Sequence, residues 1–257
     1  MQSLPPWGDD PLSSFISDAG YNERACALNY PDVYEVLQVA HELLKRVCDI
    51  LEKDPADQNL GVPRMLVARS HSAVLAAMRL AMSGQGFEAQ LVVRAAIEQA
   101  WYALHIAKDP APPARAKIWW HRNVSMQAMQ ACKDEFTVGN VRRTHEGLDA
   151  ATASSIHRLY EDAINFGAHP NQAGVAASLA LNKSTRTASV GFLHAGTLAQ
   201  MAALKGAVDV AIGVVKTVSH VYPERFRIAN VYEAVGRLAC RSVDVFSKYA
   251  QALRRAP

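Results

Sequence analysis

The sequence predicts an all-α fold, a bundle of about seven helices with a small β-hairpin inserted near residues 174–193. Three observations carry this. Apolar residues recur at three- and four-residue spacing over most of the chain beyond Asp32, Pro and Gly fall between those periodic stretches, and only one stretch alternates with a period of two. The 257 residues are half apolar, with 27 Lys and Arg against 24 Asp and Glu, which suits a chain that folds around a core.

The elements follow in order. Residues 1–31 hold four of the twelve prolines without a sustained apolar period and read as an irregular arm; residues 32–257 read as a single helical-bundle domain. From Asp32, a candidate N-cap, the series Val33, Val36, Leu37, Ala40, Leu43, Leu44, Val47, Ile50 and Leu51 marks one long amphipathic helix that Asp54-Pro55 closes. Pro63 suits the first turn of a second helix, which stops around Ser83-Gly84-Gln85-Gly86. A third runs from Phe87 to about Lys108, before Asp109-Pro110. A fourth begins near Pro113 and carries Ile118, Trp119, Trp120, Met126 and Met129 toward Lys133.

The stretch Thr137 to Ala150 is polar and reads as a loop with a short helix. Ser154 or Ser155 then caps a helix with the stripe Ile156, Leu159, Tyr160, Ala163 and Ile164, stopped by Gly167 and Pro170. Val175, Ala177, Leu179 and Leu181 alternate, Asn182 to Thr185 supply turn chemistry, and Ala188, Val190 and Phe192 alternate on the return. Two long helices, about Gly196 to Val221 and Ala229 to Arg254, finish the chain on either side of Pro223.

Several function classes lack their signals. A net charge of +3 is too small to announce a nucleic-acid partner, and four Cys without a C-x-x-C pair imply neither a zinc ribbon nor a disulfide partner. Met1 to Asp10 carries Pro and acid where a secretory signal needs basic and apolar residues, so a cytoplasmic chain is expected. The stretch Thr187 to Leu204 lacks charge but holds too many polar groups for a membrane span, so no membrane is expected. His-Glu-x-x-His, Glu-x-x-His pairs, the nucleophile elbow, the phosphate loop and the dinucleotide fingerprint are all missing, so neither metal nor cofactor is expected.

The third helix is the most informative. At 100° per residue, Arg94, Glu98, Trp101 and His105 fall within about 60° of one another on an otherwise apolar rod. A solvated face explains the stripe, since Gln90 and Lys108 lie near it. A partly buried, mutually neutralising Arg94–Glu98 pair explains it equally, since Phe87, Leu91 and Trp101 lie there too.

The run Val93-Arg94-Ala95-Ala96-Ile97-Glu98-Gln99, followed by Leu159-Tyr160 and Phe166-Gly167-Ala168-His169-Pro170, resembles a bacterial domain-of-unknown-function family of HEPN-like helical proteins, in a layout covering Val33 to Tyr249. The resemblance implies a helical core in which Arg94, Glu98, Tyr160 and His169 lie together as an interior polar network and the candidate catalytic set. It implies a binding or interaction module and no defined activity.

HEPN-like proteins include metal-independent ribonucleases marked by an Arg and a His with four to six residues between them. Arg64 with His71 and Arg115 with His121 fit that spacing, about as often as chance supplies in a chain with nine His. The cluster Arg115, Lys117, Trp119, Trp120, His121 and Arg122 interleaves cations with stackable rings, the composition single-stranded RNA favours. Trp119 and Trp120 point about 100° apart on a helix, so at least one of them is expected in the core. A homodimer through the apolar stripes of the last helices is the default expectation for a partner.

Overall fold

In the computed structural model the described residues are Gly8 and 10–52, 60–168, 172, 179–182 and 184–255. Eleven α-helices occur among them: α1 (Pro11–Asn29), α2 (Pro31–Glu52), α3 (Gly61–Ser83), α4 (Gly86–Ala107), α5 (Ala114–Trp120), α6 (Met126–Glu135), α7 (Val138–Glu146), α8 (Ala150–Ala163), α9 (Leu198–Ser219), α10 (Pro223–Ile228) and α11 (Val231–Arg255). A π-helical turn, Ile164–Ala168, continues α8. The strands β1 (Leu179–Asn182) and β2 (Thr187–Val190) pair antiparallel, with Leu179 opposite Val190. Residues 174–178 of the expected hairpin lie outside the described residues.

The core is one continuous cluster supplied by α1 to α4, α6 to α9, α10 and α11. Helix α2 buries all nine residues of the stripe read from the sequence, Val33 through Leu51. Helix α9 is the central rod, packed by α2, α3, α4, α8 and α11. Its length and apolar composition would also suit a membrane span; here 67% of its most apolar stretch is buried within the helical body.

Helices α3 and α4 form an antiparallel hairpin closed by Gly84 at φ 94°, where the N–H of Gly84 caps the end of α3. A Cβ at Gly84 would stand 2.8 Å from the backbone nitrogen of His194, which itself donates to the Gly84 carbonyl. This position therefore needs glycine both for its dihedral and for the close approach. The buried Gln200 side chain donates to the carbonyls of Ala81 and Met82 and accepts from the Gly196 N–H, tying the start of α9 to the end of α3.

Two expectations are corrected. Residues 11–29 are not an irregular arm but the helix α1, capped by the Asp10 carboxylate on the N–H groups of Leu12 and Ser13 with Pro11 at its first turn. It packs on α3 and α2 and buries only the small residues Ser13, Ala19 and Cys26, which leave no apolar period to read. The helix count also exceeds seven. The span expected to run from Pro113 to Lys133 breaks at His121–Ser125, where Ser125 caps a new helix, and α7 and α10 are separate short pieces capped by Thr137 and led by Pro223.

Candidate functional site

Arg94 and Glu98 stand one turn apart on α4, and α8 brings Tyr160 against them. The Arg94 Nε donates to Glu98 Oε1 at 2.9 Å, and the Tyr160 hydroxyl donates to the same oxygen at 3.1 Å. The guanidinium also lies 5.5 Å from the centre of the Tyr160 ring, whose other neighbours are Trp101 and the stacked His157. Burial, and then the Glu98 carboxylate, push the Tyr160 hydroxyl up to about 12. Tyr160 is therefore a hydrogen-bond donor at neutral pH and not a base.

Tyr160 is buried in the core, but the ion pair it meets is not interior. Arg94 and Glu98 are 32% and 34% exposed along their side chains, so the pair sits at the margin of the α4–α8 contact. Of the four residues expected to converge, Arg94, Glu98 and Tyr160 meet, and His169 lies outside the described residues.

The neighbours of the trio in sequence point elsewhere. Val93 and Leu159 line a cleft of about 450 Å³ framed by α4, α8 and α9. Its floor is apolar, with small residues Ala199, Ala203 and Gly206 of α9 leaving the space, and Phe87 and Phe166 stand at its sides. The π-turn closes one end because Gly167 lies flat on α4: a Cβ there would be 2.5 Å from the Phe87 carbonyl oxygen. Along α9 the cleft adjoins a second groove of about 350 Å³, and the two share Leu159, Lys205 and Asp209. Lys205 and Asp209 form an i,i+4 pair with Nζ and Oδ2 2.5 Å apart.

The RNA cluster divides. Arg115 is committed inside the fold: its Nε donates to Glu135 Oε1 at 2.7 Å and its Nη1 to the carbonyls of His105 and Lys108. It is not free to hold a phosphate. Lys117, Trp120, His121 and Arg122 are exposed, while Trp119 packs partly against the core. His71 of the other Arg–His spacing is bonded to His41 at 3.0 Å and faces the Cys48 thiol at 3.8 Å. Burial pushes that thiol up to about 11, which keeps it protonated.

The stripe residue His105 lies apart from Arg94. It is 1% exposed, with Nδ1 2.7 Å from Thr144 Oγ1 and Nε2 3.0 Å from Glu135 Oε1. Burial, and then the nearby Arg115 charge, hold His105 below the usual histidine range, while bonds from Arg115 and His105 outweigh burial and keep Glu135 ionised. This closed set fastens α4 to α5, α6 and α7. Among the described residues no three His, Cys, Asp or Glu side chains are grouped to hold a metal ion.

The cleft was missed by residue-by-residue reading because its signal is subtractive. It consists of the small residues Ala199, Ala202, Ala203 and Gly206 on one side of α9, where a core helix ordinarily carries large side chains. Compared with protein-family models, with curated proteins and with solved structures, the chain shows no match.

Proposed function

We propose that this chain is a non-catalytic binding module of the HEPN-like helical kind, with the strand pair as a small insertion, and that its ligand occupies the cleft framed by α4, α8 and α9. One observation carries the reading. An apolar cleft of about 450 Å³, within the size range of small-molecule sites, has Val93 and Leu159 as wall residues, each preceding a member of the Arg94–Glu98–Tyr160 set. The polar trio then acts as a clamp that fixes the spacing of the two walls. In the same reading His169 belongs to the clamp.

The test is binding of a neutral solvatochromic dye, Nile red, to the purified chain and to Gly206→Leu. A Cβ at Gly206 meets nothing closer than Gln90 Nε2 at 3.8 Å, so the backbone there accepts a side chain, and Gly206 lines the cleft that the added leucine would fill. Saturable dye binding by the parent and its loss in an equally stable Gly206→Leu supports the module. Equal binding by both overturns it.

A second reading, RNA binding or cleavage, rests on the exposed Lys117, Trp120, His121 and Arg122. Incubation with structured RNA in chelator, beside His121→Ala, tests it; intact and unbound RNA rejects it.

A further inference from the structure

The groove beside the cleft carries a charge pattern that the apolar walls do not explain. It is lined by Arg158 of α8 and Lys216 of α9, with Ser155 nearby and Val243 of α11 at its far edge. Lys205 and Asp209, shared with the cleft, neutralise each other. Neither the Arg158 nor the Lys216 side chain has a hydrogen-bond or ion-pair partner among the described residues, whereas six other Lys and Arg side chains, Lys45, Arg94, Arg142, Lys205, Arg227 and Arg237, are paired within their own helices. Two cations without a partner therefore line the groove that adjoins the cleft, on the two helices that also form its walls, while the cleft side carries the carboxylate of Asp162, one turn beyond Arg158 on α8.

The cavity and the charges together define a ligand. We infer that the site takes a single-chain amphiphile with an anionic head, its hydrocarbon in the cleft over Val93, Ala203 and Val210 and its carboxylate or phosphate between Arg158 and Lys216. A guanidinium offers an acidic head paired N–H donors and a lysine adds a compact charge. A cationic head would meet two like charges at the same place, and a purely apolar ligand would leave them unused. The Leu159 side chain, common to both spaces, lies where head and tail join. This inference rests on the cleft-binding reading and adds the chemistry of the ligand.

The experiment uses the full chain and three probes: a dansyl-labelled fatty acid, Nile red, and a dodecyl trimethylammonium salt as competitor. The paired variant Arg158→Glu/Lys216→Glu alters exposed side chains and leaves the walls intact. The dansyl acid is expected to bind at least about tenfold more weakly to it, with Nile red unchanged and the ammonium salt competing poorly in the parent. Unlabelled competitors of increasing chain length are expected to gain about fourfold per methylene until the cleft is full.

Alkyl phosphates run beside fatty acids distinguish a phosphate source from a carboxylate one. Dansyl acid binding that ignores the double charge reversal, with Nile red still bound, overturns the anionic head and leaves the cleft reading standing. Absence of binding by every probe overturns both.

Discussion

Tyr160 and Arg94 reach the same atom from two helices: the phenol of one and the guanidinium of the other both end on Oε1 of Glu98. One carboxylate oxygen thus joins a bond within α4 to a bond between α4 and α8. Were the pair buried, removing Glu98 would strand a guanidinium and cost about 3 kcal/mol or more. With a third of each side chain in water, Glu98→Ala is expected to cost about 1 kcal/mol instead. Urea unfolding of Glu98→Ala, Tyr160→Phe and the double variant should show a coupling of about 0.5–1 kcal/mol. Strict additivity would show that the Tyr160–Glu98 bond does not hold in solution.

Arg115 is expected to matter more for stability than any other member of the exposed-looking basic cluster. Arg115→Ala removes donors from Glu135 and from two carbonyls at the end of α4, with a loss of about 2–3 kcal/mol. Arg115→Lys should recover only part of it, since an ammonium cannot reproduce the planar fork. Arg122→Ala, by contrast, should unfold with the parent. Equal midpoints for Arg115→Ala and Arg122→Ala would refute the assignment.

Acid should weaken the fold through His145, which is fully buried with neither ring nitrogen hydrogen-bonded. Burial, and then the facing His220, drive it down to about 4 from an ordinary 6.5, against the smaller opposing pull of Asp149 and Glu146. Well above pH 6.5 the ring is neutral in both states and contributes no pH dependence. As pH falls from 6.5 toward 4 the unfolded chain takes up the proton first, and stability drops by about 3 kcal/mol in total. His105 and His220, also held below their ordinary range by burial first, act in the same direction. Thermal melts of His145→Leu between pH 7 and pH 4 should fall less steeply than those of the parent; parallel profiles would assign the acid sensitivity elsewhere.

Gly167→Ala should disturb the cleft at its closed end. The added methyl would stand 2.5 Å from the Phe87 carbonyl oxygen and 2.6 Å from Gln90 Cβ, one of them backbone, so the π-turn must move outward. The expected cost is about 1–3 kcal/mol together with weaker dye binding. Unchanged melting and unchanged binding would show that the turn does not pack on α4 as described.

What the sequence disclosed follows the size of its side chains. The stripe of α2 was legible residue by residue because Val33 through Leu51 are large and face one way, and the Arg94–Glu98 pair was legible because helical geometry puts the two on one line. Tyr160 joined them only through the resemblance, being 62 positions from Glu98. Helix α1 was not, since Ser13, Ala19 and Cys26 bury too little to set a period. The break at His121–Ser125 was hidden by Trp119, Trp120, Met126 and Met129, which continue an apolar pattern across two separate helices. The His105–Glu135–Arg115 set joins residues 30 and 20 positions apart, a separation that no local spacing encodes.

The turn at Gly84 has a consequence for the order in which the chain assembles. Joining two rods of 23 and 22 residues through so short a link asks for little closure entropy before their facing surfaces meet. The α3–α4 hairpin is therefore the natural nucleus, with α9 arriving later from more than a hundred residues away to lock it through Gln200. Slowed refolding should then mark lesions in the hairpin, and hastened unfolding those in the late-docking rod.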